Sequence, residues 1–151
     1  MPPLAEITMD HRPFSKRHRL KEHQVTLFLR LTCDLIEARR RSPLGKLSSI
    51  PEYDRFIQGA YGCGFVTTDF AVSGKLAAGE SYEYITSHPQ EVQFLGLQTV
   101  RHVVHILVRA ERSNSEMVDE AEGIINHALS GGLLGAIAAR LEALLNDADV
   151  R

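Results

Sequence analysis

Arg101, His102, His105, Arg109 and Arg112 recur along residues 97–112 at intervals that set them on one arc of an α-helix, at roughly 100° per residue. Val100, Val103, Val104, Leu107 and Ala110 take the opposite arc. The cationic arc carries no acidic residue over three turns, whereas a solvated helix face usually intersperses Glu at i,i+4 positions. Such a stripe suits a contact surface for phosphates or for an acidic partner. The competing reading is internal: Glu116 and Glu120, on the following antiparallel helix, neutralise the stripe within the fold.

The spacing of His102 and His105 also presents two imidazoles to one metal ion, with His127, Glu116 and Glu120 as distant helpers. No Glu-x-x-His or His-Glu-x-x-His pattern supports this, and Arg101 and Arg109 would repel a cation. The expectation is therefore no metal and no cofactor. Glu111 projects from the apolar arc, where a carboxylate costs several kcal/mol without a partner. Arg55 and Arg140 are its expected partners in a structural ion pair. No Gly-x-Ser-x-Gly elbow is present, so a serine nucleophile is not indicated. Cys33 and Cys63 are too few and too far apart for a disulfide framework or a zinc site, and Cys33 reads as packing.

The elements that position these residues are helical. A basic helix over 16–41 carries Leu20, Leu27, Phe28, Leu31, Leu35 and Ala38 in a stripe, with Val25, Leu29 and Ile36 on a second flank. Arg39, Arg40 and Arg41 suit its negative end, and Ser42-Pro43 with Gly45 stops it. A second helix over 51–61, capped by Ser48 or Ser49, buries Tyr53, Phe56, Ile57 and Ala60. Gly62-Cys63-Gly64 breaks it. Residues 67–86 read as one long irregular loop with a short helix near 81–85. A third helix spans 89–112, and a fourth carries Met117, Val118, Ala121, Ile124, Ile125, Ala128 and Leu129. Ser130-Gly131-Gly132 closes the fourth, and a last helix spans 133–145. The expectation is an all-α compact bundle of about five helices, with a flexible leader over 1–14 and a single domain over 15–151.

The 151 residues are 44% hydrophobic and 24% charged, which fits one folded domain rather than a disordered chain. Net charge is −2, unevenly spread. Residues 1–46 hold ten Lys/Arg against five Asp/Glu, and the remainder seven against fourteen. That asymmetry marks either an arm for an acidic partner or a basic segment packed on the acidic remainder, within one chain or across a homo-oligomer. No apolar run approaches a bilayer span, and 1–13 lack the layout of a secretory signal, so a cytoplasmic location without membrane contact is expected.

From residue 51 to 145 the chain resembles a bacterial helical family catalogued as a domain of unknown function. The resemblance is carried by YDRFIQGAYGCGFV at 53–66, by Asp69-Phe70, by Val108-Arg109-Ala110-Glu111-Arg112 and by the Ser130-Gly131 break. Members usually place phenylalanine after the Arg-Ala-Glu-Arg block and tryptophan soon after the Asp-Phe pair. This chain has Ser113 and no tryptophan. The resemblance implies a small helical domain and no established activity.

These residues lead to one expectation of function: a non-enzymatic binding or regulatory module for a protein or nucleoprotein partner. A modulator of a host system, carried by a phage or mobile element, is one form of it. Its expected contact residues are Arg101, His105, Arg109, Arg112, Arg39, Arg40 and Arg41. The alternatives are a nucleic-acid binder using the basic helix and the 101–112 arc, and a metal-dependent enzyme with a His/Glu site. The acidic whole and the lack of aromatics on the arc weigh against the nucleic-acid alternative.

Overall fold

The structure, a computed structural model, describes residues 20–66, 82–114 and 123–150. The leader over 1–14, residues 67–81 of the long loop, and the stretch holding Glu116, Met117, Val118, Asp119 and Glu120 lie outside the described residues. Among the described residues every regular element is helical, as the periodicity requires.

Helix α1 (Glu22–Arg41) opens where Gln24 Oε1 accepts the backbone N–H of Lys21 at 2.8 Å, half of a capping box. Glu22 in its first turn and Arg39, Arg40 and Arg41 in its last complement the helix dipole. Its buried line is Val25, Phe28, Thr32, Leu35 and Ala38. The predicted stripe is therefore rotated: Val25 is the core residue, and Leu27 is 49% exposed. Thr32 is tolerated inside because its hydroxyl donates to the Phe28 carbonyl at 2.8 Å.

After the 3-10 turn Leu47–Ser49, helix α2 (Pro51–Gly62) starts on Ile50 with no side-chain cap. The expected serine cap is absent because the N-cap position falls to Ile50, which has no side-chain acceptor, and Ser49 Oγ instead donates to the Lys46 carbonyl at 2.6 Å. Pro51 at the first helical position has no N–H to satisfy. The far end of α2 is a Schellman motif. Phe65 N–H donates to Ala60 O at 2.9 Å and Gly64 N–H to Tyr61 O at 3.1 Å, with Gly64 at φ +86°. This turn drives Phe65 onto Phe28, ring centroids 4.2 Å apart, and Phe56 closes the cluster at 5.3 Å from Phe28. All three rings are fully buried.

Helix α3 (Tyr82–Ser87) fulfils the short helix expected near 81–85. The predicted helix over 89–112 is two elements: a 3-10 segment Pro89–Phe94 and helix α4 (Leu97–Asn114). The break has a physical cause. Leu95 is extended, and its carbonyl, which a continuous helix would give to residue 99, accepts Arg140 Nε at 2.7 Å. Helix α5 (Ile124–Ser130) ends at Gly131 and Gly132, the latter at φ +89°, and α6 (Leu133–Val150) is the last described element.

Helix α1 packs along both α2 and α6, α6 lies on the 3-10 segment, and α5 bridges α4 and α6. The pairing of α1 with α2 is close enough that a Cβ placed on Gly59 would overlap Leu31 Cδ1. Helix α4 is the interior element: every residue from Thr99 to Val108 is buried.

Candidate functional site

That burial overturns the expected docking arc. Arg101 is 2% exposed, His102 4% and His105 0%. None of these three offers its side chain to a macromolecular partner in this fold, and all three engage other groups. Periodicity distinguishes two faces of a helix but not which of them meets water. Here both faces are covered, so the polar arc lines the inside of the bundle. Only the C-terminal end of the arc reaches the surface. Arg109 is half-buried and Arg112 is exposed, its guanidinium 5.6 Å from the centroid of the Tyr61 ring.

The second expected group, at the end of α1, divides into a clamp and a surface. Arg39 is half-buried and reaches three acceptors: the carbonyls of Ser42 at 3.3 Å and Gly45 at 3.2 Å, and Asn126 Oδ1 at 3.2 Å. It thereby fixes the connector after α1 and ties it to α5. Arg40 and Arg41 stand exposed, Arg40 paired with Glu37 at 2.7 Å and Arg41 3.9 Å from the same carboxylate. On the clamped connector Leu44 is 88% exposed.

Glu111 is half-buried where α2, α4 and α5 meet, but its partners are not the arginines expected. Its Oε2 accepts the Tyr53 hydroxyl at 2.5 Å, and its Oε1 accepts the Ile125 N–H at 3.0 Å. Arg55 instead lies 3.9 Å from Glu52, and Arg140 holds the Leu95 carbonyl. The carboxylate therefore serves as the N-terminal cap of α5, whose own N-cap is the side-chainless Gly123.

Among the described residues two cavities adjoin α4. One, of about 460 Å³, lies at its N-terminus against Leu20, Gly96, Gln98 and Arg101. The other, of about 390 Å³, opens between α3, α5 and α6, over Leu107. Tyr82 and Thr86 stand on one side of it, and His127 and Ser130 on another. The sequence marks His127 only as a metal ligand and Tyr82 and Thr86 only as part of the long loop over 67–86, whose length suits a functional segment, and nothing in it joins these separated segments into one cavity.

Cys33 is exposed, so the packing expectation for it fails, while Cys63 is buried. Partial desolvation, with Asp34 and Glu142 nearby, pushes the Cys33 thiol up, and burial does the same to Cys63. Neither is poised as a thiolate nucleophile. Among the described residues no three His, Cys, Asp or Glu side chains gather as a metal site. Among the same residues no single helix is long and apolar enough to cross a membrane. No family model matches the chain, and no curated protein or solved structure matches it.

Proposed function

We propose that this chain is a binding or regulatory module without catalytic activity of its own, docking a protein or nucleoprotein partner through the end of α1 and the connector that follows. The observation that supports this is Leu44, 88% exposed on a connector that Arg39 holds by two hydrogen bonds and ties to Asn126 of α5 by a third. An apolar side chain held on a fixed loop and flanked by Arg40 and Arg41 offers a partner a preorganised apolar contact with arginine, a residue enriched at interface hot spots, at its edge. The basic edge adds electrostatic attraction for an acidic partner and speeds encounter. Arg112, at the exposed end of α4, adds a further positive charge to the surface while lying over the Tyr61 ring.

The test compares the tagged wild type with a Leu44→Asp, Arg40→Glu, Arg41→Glu triple variant in quantitative capture from host lysate. Phe94→Ser serves as a control, because Phe94 is also exposed (71%) but belongs to the 3-10 segment. A partner held by wild type and by the control, and lost from the triple variant, fits the reading. Equal recovery by all three proteins, or no specific recovery by any, overturns it. Capture that vanishes on nuclease treatment and falls steeply with salt replaces the protein partner with a nucleic acid.

A further inference from the structure

We propose that the cavity of about 390 Å³ between α3, α5 and α6 binds a small neutral aromatic molecule carrying one hydrogen-bonding group, of phenol to indole size. Four elements converge on it and leave it open. Its floor is Leu107 from the interior helix and Leu133 from the start of α6, 1% and 2% exposed, with Ala128 beside them. These are core side chains that meet the cavity on their outer side. Seating an apolar body there removes hydrocarbon surface from water, which is the larger part of small-ligand affinity.

The rim supplies orientation. Tyr82 and Thr86 bring hydroxyls from α3, and His127 and Ser130 bring an imidazole and a hydroxyl from α5. The Ser130 hydroxyl is engaged only by a long 3.4 Å bond to the His127 carbonyl, so it can turn to a ligand without breaking a strong contact. The described lining holds no Asp, Glu, Lys or Arg. Among the described lining only the His127 imidazole can carry charge, so a charged ligand would lose hydration for little ionic compensation, which favours a neutral one. The volume is near the lower end of the usual range for ligand pockets, roughly 300–1,000 Å³, and is ample for a guest of phenol to indole size. A bound molecule would bridge the six-residue α3 to α5 and α6 and so stabilise the fold through linkage.

The test titrates the full-length, methyl-labelled chain with indole and with 4-ethylphenol, and separately with the anion indole-3-acetate. The expected result is saturable shifts at the methyls of Leu107, Ala128 and Leu133, with the anion at least about tenfold weaker. Ala128→Leu, which fills the floor, and Thr86→Leu, which fills the rim, should each remove the saturable response. Two filling variants are used because overpacking at Ala128 can impair folding. The proposal is overturned if neither neutral probe saturates below about 5 mM. It is equally overturned if the anion binds as well, or if a folded filling variant binds as wild type does. None of these readouts depends on a protein partner.

Discussion

Glu111 lends its carboxylate to the backbone of Ile125, 14 residues ahead and on another helix, accepting its N–H at 3.0 Å. The other oxygen of the same carboxylate holds the Tyr53 hydroxyl at 2.5 Å, so one side chain joins three helices. A helix of seven residues is too short to be stable alone, and its first N–H groups need acceptors that Gly123 cannot supply.

Replacing Glu111 with Ala should therefore destabilise the protein by about 2–3 kcal/mol, and Tyr53→Phe by about 1 kcal/mol. The double variant should fall short of the sum by about 1 kcal/mol, because the two groups share a hydrogen bond. Urea unfolding of the four proteins measures this. Arg55→Ala should stay within about 0.5 kcal/mol, since Arg55 faces Glu52 across an exposed 3.9 Å contact. A large loss at Arg55 would restore the ion pair expected from sequence.

Two glycines at the end of α2 should respond in opposite directions. Gly64 sits at φ +86°, and a Cβ there would lie 3.3 Å from Leu20 Cδ2. Gly64→Ala should cost about 1–2 kcal/mol. Gly62 is helical with nothing near its missing Cβ, so Gly62→Ala should add about 0.5–1 kcal/mol. Thermal unfolding of both variants decides the matter, and the same sign for both would remove the Schellman assignment.

Burial holds the His102 imidazole below its ordinary pKa, which sets a direction for pH dependence. Above about pH 6.5 the ring is neutral in folded and unfolded chains, and stability is insensitive to it. As pH falls through that value the unfolded chain takes up a proton that the folded one resists, so stability declines. The decline levels off only below the folded pKa. The urea midpoint should drop between about pH 6.5 and 5.5, and His102→Asn should flatten part of that slope.

The two thiols should separate by access. Cys33, exposed but with a raised pKa, should react slowly with iodoacetamide at neutral pH and faster as pH climbs toward and past its ordinary range. Cys63, 3% exposed, should react only when the chain opens. Mass spectrometry of timed quenches distinguishes them, and equal labelling of both would place Cys63 at the surface.

The helix ends were readable because their signals are local: Arg39–Arg41 before Ser42-Pro43, Pro51 at a helix start, and the Gly131-Gly132 stop. The split at Leu95 is not legible in the periodicity although Gly96 marks it, because the acceptor change that stabilises it depends on Arg140, 45 residues away. The error at Leu27 has a similar origin: Val25 and Leu27 fit helical stripes comparably, and only the positions of α2 and α6 choose between them. For the site, Glu111 is legible as an anchoring group but its partners Tyr53 and Ile125 are not, and Arg39, expected to meet a partner, instead holds Asn126 within the fold. The cavity is assembled from residues spread between Tyr82 and Leu133 and has no signature in spacing.

The enclosure of α4 from Thr99 to Val108 carries a consequence for how this chain tolerates change. A surface helix accepts drift on its wet side, so its mutational profile rises and falls with every turn. Here that oscillation should be absent across ten consecutive positions. The arginine and the imidazoles should be as resistant to replacement as the valines between them.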